Sequence, residues 1–414
     1  MTRYARNIFY LGFAQQAAKG TDIAPVYFPQ FFDGDVNPNP DLEHTEYVPA
    51  DGQFQTLSIL NRHKPGLDFR LLATPQMAAM LIAYALGSEQ VTGTQPGTPI
   101  ATTLTGVHNV GVSALTVGDT TGLQAGDIVQ LVAVTATYED TGELVEIDAV
   151  TDGTHLALAT ATQYAHAGTA VVEKVVAPYH HKCLFEERPD MPWFTVEASV
   201  GADTDNQTDP LIVRFIDCRI SELRLSVEPG MPLMVNATIE AVNLEKQESE
   251  TAESHESNRP FVAFNASYTI DSGETSDVTR FELTLRNALD EDDFTDGQAR
   301  ADLPVLRREG ELTWTIKLAD GTRFFDTHFN GDHDALATVL DQGTFVVDFD
   351  YDETTANRGL NLNIPQLEQV EARVNPGAAD GTYEYACRAI VTKKSGSEFF
   401  TITIDNDQHL KFVV

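Results

Sequence analysis

Positive charge is what this chain has least of: 27 lysines and arginines stand against 62 aspartates and glutamates, a formal balance of −35 over 414 residues. Firm binding of nucleic acid needs Lys and Arg to neutralise phosphates, and no basic stripe occurs in the sequence, which argues against sequence-specific DNA binding. Cysteine is scarcer still. Cys183, Cys218 and Cys387 are odd in number and far apart, so they read as small buried hydrophobes rather than as a disulfide framework. No apolar run reaches the length of about 18 residues that a spanning helix needs, so no membrane span is expected. Arg3 and Arg6 precede an apolar patch that Gln15, Gln16 and Lys19 interrupt, too early for an export signal. The G-x-S-x-G, H-E-x-x-H, phosphate-loop and dinucleotide patterns are all missing, and the acid clusters at 290–293 and at Asp348, Asp350 and Asp352 lie among loop and edge signals. Catalytic acids need a partly buried pocket, so these read as solvated surface, and neither enzyme activity nor a cofactor is expected.

The acid excess itself has two compatible readings. One is adaptation to high salt, where the Debye length falls to about 3 Å at 1 M and self-repulsion is screened. The other is a surface that must not hold nucleic acid.

What the sequence does contain is apolar–polar alternation with a period of two. The clearest case is residues 218–246, which read as a two-stranded ribbon with a turn at Glu228-Pro229-Gly230. Leu223, Leu225 and Val227 alternate with polar residues before the turn, and Leu233, Val235, Ala237 and Ile239 do so after it. An isolated ribbon is marginal in water, and its outer edge invites pairing with another chain; self-assembly through that edge is the expectation.

In chain order, residues 7–18 form a short element that stops at Gly20. Residues 28–55 are rich in Pro, Asn, Asp and Gly, and a loop of that length is usually functional. Phe31, Phe32 and Tyr47 punctuate it, together with the acids Asp33, Asp35, Asp41 and Glu43, which suggests an arm that orders against a partner. The acid spacing resembles a calcium loop, but Pro38 and His44 stand where Gly and Glu belong, so no metal is expected there. A strand at 67–72 leads into a helix capped by Thr74, started by Pro75 and ended by Gly87, with Met77, Met80, Leu81 and Tyr84 on one face.

From 100 to 176 the texture changes to Thr, Val, Ala and Gly, and short strands at 114–117, 128–134, 143–150 and 155–159 predict an inserted small β-barrel or sandwich. His180, His181 and Cys183 follow, but adjacent residues of a strand point to opposite faces, so a metal site is not expected. Residues 247–258 are polar and charged and read as a linker.

The second part of the chain repeats the plan of the first. Residues 311–318 parallel 67–72, a helix at 334–340 parallels the earlier one, 344–350 takes the place of 181–185, and 364–374 that of 191–200. A closing ribbon from 382–391 and 398–404, with Tyr383, Tyr385, Ile402 and Ile404 on its apolar face, then matches the ribbon at 218–246. The domain reading is therefore 1–99 with 177–246, the insertion 100–176, the linker 247–258, and a second domain 259–414.

The segments GFAQQAAKGTDIAP, LNRHKPGLDFRLLATPQMAAMLIAYALG, FTVEASVG and CRISELRLSVEPGMPLMVNATIEAV resemble the major tail tube protein of long-tailed, siphovirus-type viruses. The resemblance implies a mainly β fold: two tandem tail-tube β-sandwich or barrel domains, each with a flanking helix, plus the insertion on the outside. It implies stacked rings that channel viral DNA without binding it specifically, a homotrimer with pseudo-sixfold symmetry, and a virion location. The implied partners are neighbouring and stacked copies, the tape-measure protein, the tail terminator and the baseplate. Within this picture the two ribbons line an inner barrel, the arm reaches an adjacent ring, an acidic lumen repels phosphate, and low Lys points to a salt-loving host. The rival reading is a secreted halophilic adhesin or surface-layer β protein, which shares the acidity but calls for an export signal.

Overall fold

A computed structural model describes residues 8–29, 32–37, 40–43, 59–132, 143–185, 191–200, 211–249, 251–271, 273–275, 278–294, 300–317, 342–351, 358–375, 384–394 and 399–413. The period-two alternation becomes strand almost throughout. The chain opens with β1 (Ile8–Gln15), β2 (Phe32–Asn37), β3 (Pro40–Glu43), β4 (Ile59–His63) and β5 (Gly66–Leu72), then the helix α1 (Pro75–Leu86). Next come β6 (Glu89–Thr94), β7 (Ala101–Thr103), β8 (Ala114–Thr116), β9 (Ile128–Val132), β10 (Glu143–Val150), β11 (His155–Leu158) and β12 (Val171–Leu184). β13 (Phe194–Val200), β14 (Leu211–Val227), β15 (Met234–Gln247), β16 (Ala266–Ile270), β17 (Gly273–Thr275) and β18 (Val278–Leu289) follow. The last are β19 (Val305–Lys317), β20 (Gln342–Tyr351), β21 (Arg358–Asn375), β22 (Glu384–Val391) and β23 (Thr401–Asn406).

Eight strands lie side by side in the order β2, β5, β15, β14, β18, β19, β22, β21, each antiparallel to its neighbours. Alternation gives this sheet two unlike faces. Leu67, Phe69, Val235, Leu223, Leu225, Leu283, Leu312 and Trp314 are buried on one; Asp68, Arg70, Glu222, Arg224, Arg286 and Arg388 are partly or fully exposed on the other. The apolar face contributes to one core built from residues on either side of the 247–258 segment.

The pairing order occurs twice. β1, β13, β14, β15, β5 and β2 adjoin in that sequence, and so do β16, β20, β21, β22, β19 and β18. β14 shifts register against β13 between Phe215 and Cys218, and against β15 between Ile220 and Glu222. β21 does the same against β20 between Ile364 and Leu367, and against β22 between Gln369 and Glu371. β21 therefore stands where β14 stands, one element away from the alignment expected from sequence, which set 364–374 against 191–200. The first bulge of β14 holds Asp217 in the left-handed region at φ 58. Its carboxylate accepts from Gln16 at 3.1 Å and from the Gly20 backbone at 2.6 Å, which fixes the point where β14 leaves β13 for β18.

The expected closing ribbon does not form as such. β22 and β23 do not pair with each other; both lie along one edge of β21, taking in two pieces the place that β15 fills in one. β23 also pairs with β12, which pairs with β6.

Helix α1 is buried on nearly every side rather than along a single face, and packs on β12, β14, β21 and β23. A helix with buried ends needs partners for its free N–H and C=O groups. Thr74 supplies no side-chain cap; instead the Glu256 carboxylate accepts from the Gln76 and Met77 backbones at 2.9 and 3.3 Å. Gly87 takes φ 75 at the other end, as expected from sequence, and the Ala85 carbonyl accepts from Asn287 at 3.0 Å and Arg308 at 2.8 Å. The 247–258 segment is thus pinned to the body rather than spanning between parts: the Thr251 N–H also reaches Tyr10 and Glu197.

Strands β7, β12, β9, β10, β11 and β8 pair in series, and a Leu104–Val117 bridge returns β8 to β7, closing a small barrel with its own core. Its strands at 114–116, 128–132, 143–150 and 155–158 fall where the sequence placed them. The helix expected at 334–340 lies outside the described residues.

The 406–413 segment is held by two fully buried side chains. Glu89 accepts from the Phe412 and Val413 backbones at 2.7 and 2.9 Å and pairs with His181 at 2.5 Å, while the other ring nitrogen of His181 meets the Gln408 carbonyl at 2.7 Å. Removing one partner of such a group costs about 3 to 5 kcal/mol. Glu89→Ala is therefore expected to lower unfolding stability by that order in urea titrations; a change within about 0.5 kcal/mol, the usual surface value, would refute the arrangement.

Candidate assembly surface

The exposed face of the eight-stranded sheet carries a connected set of charges. Glu222 on β14 accepts from Arg224 at 2.6 Å and from Arg286 on β18 at 3.0 Å. Arg224 lies 3.7 Å from Glu282, and Arg286 lies 3.8 Å from Glu311 on β19. Glu311 accepts both arms of the Arg388 fork, at 2.6 and 2.9 Å, from β22. The ladder crosses the β14–β18 junction, where the two series of strands meet. Single exposed pairs of this kind contribute about 0 to 1 kcal/mol, so their main effect is to fix register across strands. The Arg388 hydrogen bonds hold the Glu311 carboxyl below the usual glutamate range. For Glu222, burial raises the value, and the Arg286 and Arg224 hydrogen bonds outweigh it to leave the group low.

Two edges of the sheet stay open among the described residues. β2 pairs only with β5. β21 has β20 on one edge as far as Glu368, but from Gln369 to Asn375 only β22, on the opposite edge, is paired with it. The β14 positions corresponding to this stretch pair with β18.

The sequence expectations meet this geometry unevenly. The ribbon forms as expected, with Leu223 and Leu225 paired with Ala237 and Val235, but Leu223, Leu225, Val227, Leu233, Val235 and Ile239 are buried core. The ribbon's edges are also occupied within the chain, by β18 and β5. Tyr385, Ile402 and Ile404 are likewise buried, and Tyr383 lies outside the described residues. In the arm, Phe32, Asp33 and Asp35 belong to β2, and Asp41 and Glu43 to β3, which pairs with β4; the expected loop is here strand, while Phe31 and Tyr47 lie outside the described residues. Cys183, Cys218 and Cys387 are buried thiols, and no group of three metal-ligating side chains occurs among the described residues. His180 meets Asp405 while His181 meets Glu89. What sequence reading passed over is the Glu371-x-Arg373 pair, which repeats Glu222-x-Arg224.

The fold is mainly β, with two strand edges open among the described residues. The family model described as phage tail tube protein matches residues 67–382, and the chain belongs to that family. That membership places it in the virion tail as a structural tail tube protein. No curated protein matches it. Among solved structures, the phage phi92 endosialidase is similar at 12% identity and a TM-score of 0.15, a score too low for a shared fold; the match covers 81% of this chain and spans 57% of that one.

The low Glu311 value has a definite sign. A folded-state value below the unfolded one, about 4.3, stabilises above that pH and loses its contribution as pH falls through the folded value. Stability measured in urea from pH 6 down to about 3 is expected to fall less steeply in Glu311→Gln than in the parent. Parallel curves would show that the Arg388 pair contributes nothing.

Proposed function

We propose that this protein polymerises into rings that stack as the tail tube and form the channel for genome delivery, without catalytic role. The observation that carries this reading is the pair of open edges at opposite ends of one eight-stranded sheet. Two different edges joined head to tail make a heterologous contact, which does not stop at a dimer and closes into a ring when the rotation allows. Three copies would give 24 strands; at about 4.8 Å spacing and roughly 40° tilt these enclose roughly 48 Å between backbones. The repeated pairing order supports a tandem duplication, hence a homotrimer with pseudo-sixfold symmetry.

Helix α1 and the other core elements cover the apolar face, so the thicker side has room only outside such a barrel, and the charged face turns inward. That face is not simply acidic: its carboxylates are matched by Arg224, Arg286 and Arg388. A lumen of paired charges gives DNA neither a cationic groove to adhere to nor a uniform wall of like charge. The insertion would sit outside the channel. The arm bearing Phe31, Phe32, Asp33, Asp35, Asp41, Glu43 and Tyr47 would contact the next ring, with tape-measure, terminator and baseplate proteins as further partners.

Electron microscopy of concentrated protein in molar salt tests this. Hollow rings or short tubes with threefold symmetry and six similar inner lobes are expected. Sixfold rings would remove the duplication, flat lattices would favour the surface-layer reading, and monomers at every concentration would refute self-polymerisation.

A further inference from the structure

The β14–β18 junction inside one chain is a template for the joint between chains, and we infer that residues 371–375 of β21 pair antiparallel with β2 of the next copy, with Val374 opposite Val36, Asn375 opposite Asp35, and Arg373 diagonal to Asp35 on the same face of the sheet. This rests on the ring reading and specifies its contact.

The correspondence follows from registers alone. Ile220 faces Ile239, which faces Leu67, which faces Val36. Gln369 faces Ala389, which faces Leu312, which faces Leu283. Val36 on β2 thus occupies the place of Leu283 on β18, and Asp35 that of Glu282. The paired bulges set Glu371, Arg373 and Val374 in the places of Glu222, Arg224 and Leu225.

Within the chain, Leu225 faces Leu283 and Ser226 faces Glu282. Transferred to the open edges, the same ladder puts Val374 opposite Val36 and Asn375 opposite Asp35 of the next copy. Arg224, which faces Thr284, reaches Glu282 two positions along β18 at 3.7 Å, and Arg373 has the same diagonal relation to Asp35.

Two observations independent of the register support the joint. Leu225 is 1% exposed, whereas Val374, at the corresponding core-side position, is 40% exposed, as an apolar side chain would be when its cover is missing. Arg373 has an exposed guanidinium beside Glu371, repeating the Arg224–Glu222 contact, and no counterpart to Glu282 of β18 stands beside it among the described residues. In a chain so short of positive charge, an exposed arginine at an open edge complements an aspartate-bearing strand.

Cysteine pairs test the joint. Facing residues of antiparallel strands have Cβ atoms about 4.5 to 5.5 Å apart, within reach of a disulfide after small adjustment. Oxidising assembled Val36→Cys/Val374→Cys protein is expected to give a covalent ladder on non-reducing gels that ends at the ring's copy number. A mixture of the two single variants should stop at dimers. Arg373→Glu should raise the concentration needed for assembly about tenfold or more, and Asp35→Lys added to it should restore assembly. Rings that form without the 36–374 cross-link, or a charge swap that fails to restore assembly, would overturn this joint while leaving the ring reading intact. No assembly together with no cross-link would overturn both.

Discussion

A backbone N–H or C=O removed from water must find a partner, and this molecule is arranged around that requirement. β14 abandons β13 midway and would leave its second part unpaired, but β18 takes the vacated edge. Helix α1 is buried along nearly its whole length, and Glu256, Asn287 and Arg308 complete its ends from far along the sequence. β22 and β23 together serve the edge that a single strand serves elsewhere. Among the described residues the same demand is left unmet at two strand edges, the ones through which we propose that copies join.

Charge follows a similar economy. The excess of acid suits a protein that stays dispersed until its edges meet, and salt that screens repulsion would favour association. Arg224, Arg286 and Arg388 share one sheet face, where Arg224 and Arg286 each bridge two carboxylates and Arg388 pairs with Glu311 on the neighbouring strand. Arginine suits this role because its planar fork fixes direction as well as charge, as the bidentate Arg388–Glu311 contact shows.

Much of the local structure was legible in the sequence. The barrel strands at 143–150 and 155–158, the ribbon at 218–246 with its turn and the helix stop at Gly87 all follow from alternation and from glycine's tolerance of positive φ. Partnership was not legible. Alternation says which face of 384–391 is buried but not which strand lies beside it, so two strands on one edge of β21 read as a hairpin. The repeat was read one element out of frame because bulges, which fix the frame, leave no mark in composition. Thr74 had the chemistry of a cap, yet a glutamate from about 180 positions later took the role.

That last contact sets an order of events during synthesis. A ribosome adds residues from the N-terminus, so α1 emerges well before Glu256, Asn287 and Arg308 exist to complete it. Until then its terminal groups stay solvated, and the strands around it cannot close over the helix without stranding them. The helix ends are therefore completed only after residues 256, 287 and 308 have been made. Dependence on distant contacts slows folding, and under the proposed assembly it would hold back edge pairing until those contacts have formed.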